Sequence, residues 1–164
     1  MNKSRTVAEA IENLVILVAD SSLYNRRLTR QMLTNAGVKS IYEVADGVTA
    51  LDAIRNLNPD VMILSWELPG LDGLEVTRIV RSPDVFPMPN LPIIMLCDRG
   101  LRSRVISAIK LGVHELLVRP ISPKSLQQRL LGIVLHPRPM IREGESYIPL
   151  PRRQLDRQDF TVAA

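Results

Sequence analysis

The sequence predicts an α/β protein, a parallel sheet covered by helices on both faces as a three-layer sandwich. Three observations predict it. Apolar residues gather into short aliphatic runs of strand length instead of alternating with polar ones, as expected of strands buried on both faces. Segments with helical period and capping residues separate these runs, so that strand and helix alternate five times. The chain has 164 residues and only six aromatics, enough length for one domain with an aliphatic core plus a tail.

Residues 1–11 read as an N-terminal extension ahead of the domain. The run Leu-Val-Ile-Leu-Val-Ala at 14–19 is the first strand, and it ends in Asp20-Ser21. Ser21 or Ser22 then caps a helix expected to run to about residue 36, burying Leu28 and Met32 and stopping at Gly37. A second helix is expected over 47–57, with Ala50, Leu51 and Ile54 inward. The run 61–64 is a buried strand between Asn58-Pro59-Asp60 and Leu68-Pro69-Gly70. Ser65 therefore sits at its carboxyl end, the edge of an open α/β sheet where reacting groups collect.

Asp72 caps a third helix to about residue 81, with Leu74, Ile79 and Val80 among its apolar positions. The run 91–97 is a strand ending in Cys97, and a fourth helix follows over 101–111. A last strand lies in 115–120, and Ser122-Pro123 opens a fifth helix that ends before His136-Pro137. Beyond it Pro137, Pro139, Pro149 and Pro151 interrupt any helix, so residues 137–164 are expected to be extended or partly disordered. Met140, Ile141, Tyr147, Ile148 and Leu150 are unusually apolar for such a tail. Part of it is expected to dock on the body or on a second protomer, leaving Arg152-Arg153 mobile.

Charge excludes several functions. The body through His136 carries 16 basic and 13 acidic residues and the tail 5 and 4, a modest and dispersed excess. No dense basic face and no row of aromatics suggests nucleic-acid binding. The tail shows no helix-turn-helix pattern and no second catalytic motif. One cysteine rules out an internal disulfide, and no signal peptide or long apolar span is visible, so a soluble cytoplasmic protein is expected, with no membrane role.

The segment Pro59-Asp60-Val61-Met62-Ile63-Leu64-Ser65-Trp66-Glu67-Leu68-Pro69-Gly70-Leu71-Asp72-Gly73, together with Asp20-Ser21, Cys97 and Arg119-Pro120, resembles the receiver domain of two-component response regulators, in its single-domain, chemotaxis-regulator form. The resemblance spans residues 12–136. It implies a flavodoxin-like fold, a sheet of order 2-1-3-4-5 and a cis Arg119–Pro120 bond. In that family the third strand ends in an aspartate that accepts phosphate from a histidine kinase, followed by a loop of the form x-x-M/L-P-x-x-D/N-G. An acidic pair ends the first strand, Thr or Ser ends the fourth, and an aromatic residue and Lys-Pro mark the fifth.

This chain departs from that pattern at the reactive positions. Ser65 replaces the acceptor, Ser21 the second acid, Cys97 the hydroxyl, Leu116 the aromatic ring and Arg119 the lysine. Receiver phosphorylation needs a carboxylate nucleophile, a hard divalent cation on oxygen ligands and a fixed positive charge. Asp20, Ser21, Ser65 and Arg119 sum to zero, so Arg119 is expected to pair with Asp20 and to reach Ser65, supplying the cation from the protein itself. Magnesium and other cofactors are not expected, Asp20 and Glu67 being the residual candidates for a metal.

The expected function is that of a pseudo-receiver, a non-enzymatic protein acting by phosphorylation-independent contact. Its expected partners are a histidine kinase, a phosphotransfer protein or another regulator, or a second copy of itself. The resemblance implies a partner face carrying Arg102, Arg104, Ile106, Lys110, Leu116, Gln127 and Leu131, with the helix of Tyr24, Arg26, Arg27 and Arg30 as the other candidate. Two alternatives stand beside this reading. One is a receiver still switched by phosphate or another ligand at the altered pocket. The other is a redox sensor at Cys97, its thiol activated by the guanidinium.

Overall fold

Five short segments pair as one parallel sheet: β1 (Val15–Ala19), β2 (Ser40–Val44), β3 (Val61–Ser65), β4 (Ile93–Cys97) and β5 (Glu115–Val118), in spatial order β2-β1-β3-β4-β5. The structure is a computed structural model and describes residues 3–84, 86–98, 102–144 and 146–150. Ile16 stands opposite both Ile41 and Val61, and Leu64 opposite Met95. Every residue of β3 and β4 is buried, which explains why their sequences are aliphatic without alternation.

The helices are α1 (Lys3–Glu12), α2 (Leu23–Asn35), α3 (Gly47–Leu57), α4 (Gly73–Val80), α5 (Arg102–Leu111) and α6 (Pro123–Leu135). Successive strand residues face opposite sides of the sheet, and the core divides accordingly. Leu17, Met62, Leu64 and Met95 pack with Ala50, Ile54, Val76 and Ala108 on one side. Ile16, Val18, Ile63 and Leu96 pack with Ile11, Leu33, Leu126 and Leu130 on the other.

Local chemistry sets the helix ends. Ser22 caps α2 through Asn25 N–H, Asp46 caps α3 through Thr49 N–H, and Ser122 caps α6 through Ser125 N–H. Asp72 and Glu75 form a reciprocal capping box at α4. Gly47 is required by close approach, since a Cβ there would stand 2.3 Å from the carbonyl oxygen of Leu71. Arg119–Pro120 is cis.

One helix face differs from the expectation, that of α2. In α2 the buried positions are Thr29 and Leu33, while Leu28 is 37% exposed and Met32 only half-buried. The helix is turned by one residue relative to its aliphatic stripe, and Leu28 borders a groove beside Pro120 and Ile121. In α4 the inward residues are Val76, Thr77 and Val80, with Leu74 and Ile79 half-buried at the margin. Thr77 is tolerated inside because its hydroxyl donates to Gly73 O at 2.7 Å.

The flanking segments carry structure of their own. The N-terminal extension contains α1, whose Ile11 enters the core. After α6 the chain forms an antiparallel hairpin, β6 (Met140–Glu143) and β7 (Ser146–Pro149), turning at Gly144 with φ +65. This hairpin rests on the body through Tyr147 N–H, which donates to Arg81 O at 3.2 Å, and its own ladder continues to Leu150, 6% exposed, whose N–H donates to Pro139 O. Residues 151–164, including Arg152-Arg153, lie outside the described residues.

Candidate functional site

The carboxyl ends of β1, β3, β4 and β5 bring Asp20, Ser65, Cys97 and Arg119 to one edge of the sheet. Backbone bonds fix each position: Asp20 N–H to Val44 O, Trp66 N–H to Leu96 O and Arg119 N–H to Cys97 O. Asp20 and Ser65 are buried, at 3% and 2% exposure, so their polar atoms depend on protein partners. Oδ1 of Asp20 accepts from Ser22 N–H at 2.9 Å, and Oδ2 accepts from Nη2 of Arg119 in a short ion pair. The same nitrogen stands 3.5 Å from Ser65 Oγ, the outer limit of a hydrogen bond.

The second arm of the guanidinium reaches Asp98, Nη1 to Oδ1 at 3.2 Å. Sequence reasoning missed Asp98, because the comparison of strand ends stops at Cys97. Counting it turns the neutral cluster of Asp20 and Arg119 into one with a net negative charge, and it holds the fork of Arg119 between two carboxylates. Ser21 is exposed and stands apart from this cluster, beside a shallow cavity of about 320 Å³ with Trp66, Glu67, Asp72 and Arg104. Cys97 is wholly buried, which removes the access that a thiol sensor needs.

Glu67 and Arg104 are joined in their turn. Nη1 of Arg104 is 3.1 Å from Glu67 Oε1, and its guanidinium lies 5.0 Å from the centre of the Trp66 ring. Arg104 thus belongs to the rim of this pocket as much as to the predicted partner face. On that face Arg102, Ile106, Lys110 and Gln127 are exposed, whereas Leu116 and Leu131 are half-buried against the core.

The residues present do not fit a magnesium ion. A hard divalent cation takes several oxygen ligands with negative charge among them. Here the buried Asp20 carboxylate already accepts from Arg119 and Ser22, the exposed Asp98 is held by the other arm of Arg119, Ser21 and Ser65 are neutral, and the Glu67 carboxylate is turned to Arg104.

With this fold and this edge described, the class follows: the chain belongs to the response regulator receiver domain family, whose pattern matches residues 16–131. It is a receiver of two-component signalling and resembles the CheY proteins. Chemotaxis protein CheY homolog of Campylobacter jejuni is 34% identical over 120 residues, 73% of this chain and 91% of that protein. Chemotaxis protein CheY1 of Helicobacter pylori is 34% identical over 116 residues, 70% of this chain and 92% of its own length.

Among solved structures, a putative response regulator from Chloroflexus aurantiacus superposes with a TM-score of 0.69 at 29% identity, over 75% of this chain and 98% of that one. The receiver domain of the sensor histidine kinase PA1611 from Pseudomonas aeruginosa, described with a magnesium ion coordinated in its active site cleft, gives 0.64 at 26%, over 74% and 97%. The sheet order and the receiver assignment expected from the sequence are both borne out.

Proposed function

We propose that this chain is a pseudo-receiver, a cytoplasmic, non-enzymatic member of a two-component or phosphorelay pathway that acts by contact with a signalling protein and without phosphorylation. The observation that carries the proposal is Ser65 at the acceptor position with Arg119 already bound to Asp20. A serine hydroxyl beside a guanidinium has no base to take its proton, and an acyl phosphate cannot form on it. The ion pair engages the Asp20 carboxylate that a receiver would offer to its metal, so magnesium is neither needed nor favoured.

The partner is of the kind that receivers meet: a histidine kinase, a phosphotransfer protein or another regulator. The exposed Arg102, Ile106, Lys110 and Gln127 suit an acidic or amphipathic surface.

The test is an amide NMR spectrum of the labelled chain with and without magnesium plus beryllofluoride, a mimic of the acyl phosphate. No saturable shifts are expected around Ser21, Ser65 and Cys97. Saturable shifts there, or phosphate on the intact chain after incubation with acetyl phosphate, would overturn the reading in favour of a receiver still switched at its altered pocket.

A further inference from the structure

A second cavity, of about 660 Å³, lies at the opposite end of the sheet from Ser65. It opens where the loop before β4, the start of β5, the end of α6 and the root of the hairpin meet, and His114, Arg138, Pro92, Ile133 and Met140 are among its lining. Its size is in the range of small-molecule sites.

The chemistry beside this cavity is unusual. Arg81, the C-cap of α4, is wholly buried. Among the described residues its guanidinium meets no carboxylate. Nε donates to Gly112 O at 3.0 Å, Nη1 to Pro89 O at 2.8 Å, and Nη2 contacts His114 Nδ1 at 3.2 Å. A buried cation answered only by neutral groups leaves a positive potential around it.

That contact fixes the tautomer of His114. A guanidinium can only donate, and Ile93 N–H points at the same Nδ1 from 3.3 Å, so Nδ1 is the acceptor and the ring proton is on Nε2. Among the described residues no acceptor is recorded for Nε2, and no polar side-chain atom is buried without a partner, which leaves this N–H accessible on a residue that lines the cavity. A ring that accepts from a cation on one side is a stronger donor on the other. Arg138 donates to His114 O and adds a second positive charge on the same wall. Glu115, also on the lining, is offset by Arg129 at 3.0 Å.

We propose that this cavity binds a small organic acid, its carboxylate held by the Nε2–H of His114 in the field of Arg81 and Arg138, its apolar body lying on Pro92, Ile133 and Met140. The occupant would bridge the sheet edge and the root of the hairpin, coupling a soluble metabolite to the side of the domain that faces away from the receiver pocket.

Octanoate, below its micelle concentration, is the probe, with octylammonium and octan-1-ol as controls on the full chain. The expected result is saturable shifts at the His114 ring nitrogens and at the Met140 and Ile141 amides with octanoate alone. Arg138→Gln should weaken octanoate binding by roughly tenfold, because it removes one positive charge from the wall that the carboxylate faces, while the amide spectrum elsewhere stays native. Absence of saturation by octanoate, equal binding of the three probes, or unchanged affinity in Arg138→Gln would each overturn the proposal.

Discussion

Arg119 stands where a receiver's lysine would answer a phosphoryl group, and its fork is held by two carboxylates of its own chain, Asp20 and Asp98. The two contacts differ in consequence. Asp98 is exposed and surface ion pairs contribute little, whereas Asp20 is buried and needs the cation to be tolerated as a charge. Arg119→Met keeps the apolar stem and removes the charge, leaving Asp20 with the Ser22 N–H and whatever water enters. It is expected to destabilise the fold by about 3 kcal/mol, the low end for a broken buried pair, because the arginine side chain is itself 15% exposed. Ser65→Ala removes only a 3.5 Å contact and should change stability by less than about 1 kcal/mol. Urea unfolding of the two variants checks the ordering. Equal, small losses would show that Asp20 is solvated in solution and that Arg119 does not define the pocket.

At the scale of elements, β3 and β4 were legible because both faces of each are buried and their aliphatic runs stand out, whereas the edge strand β2, Ser-Ile-Tyr-Glu-Val with Tyr42 exposed, carries no such run and was not placed from the sequence. Helix positions were legible from caps, but helix phase was not: Thr29, with a hydroxyl, is buried where Leu28 was expected, since packing against neighbours decides a boundary position. The hairpin was hidden for a related reason. Its prolines read as breakers, yet Pro149 closes a two-stranded ladder opposite Met140, a strand end where a missing N–H is tolerated. What seats the hairpin lies far away in sequence, at Arg81 and Gly112, and an arginine on an amphipathic helix gives no sign that it will be buried. Gly112 has φ +99, and a Cβ there would stand 2.7 Å from Tyr147 O and 3.0 Å from Arg81 Nε. Gly112→Ala should therefore destabilise by more than about 1 kcal/mol and displace the hairpin. Faster hydrogen exchange at Tyr147 and Leu150, whose N–H groups are bonded to Arg81 O and Pro139 O, with β1 and β3 still protected, is the expected signature. Uniform protection would mean that the hairpin accommodates the methyl group.

For the whole molecule, the buried polar knot of Arg81 and His114 ties the sheet, the loop before β4 and the hairpin together, and it makes stability depend on pH. Burial lowers the Arg81 pKa to about 9, so it remains charged at neutral pH. Burial first, and then the charges of Arg81 and Arg138, push His114 down to about 3. An unfolded histidine titrates near 6.5, so between about pH 6.5 and 3 the unfolded chain binds a proton that the folded chain refuses. The contribution of neutral His114 is thus present in full above about pH 6.5 and is lost progressively as pH falls toward 3, by an amount on the order of a few kcal/mol. His114→Gln offers an amide that can accept from Arg81 and cannot take up a proton, and it should flatten the decline across that window while leaving the acidic side chains to titrate in both proteins alike. Urea midpoints at pH 7 and pH 4.5 for the two chains give the comparison. In the native chain the hairpin should loosen first, because the proton arriving on His114 repels both Arg81 beneath it and Arg138 at the hairpin's root. Parallel declines in the two chains would place the acid sensitivity elsewhere and show that His114 is not held neutral by this knot.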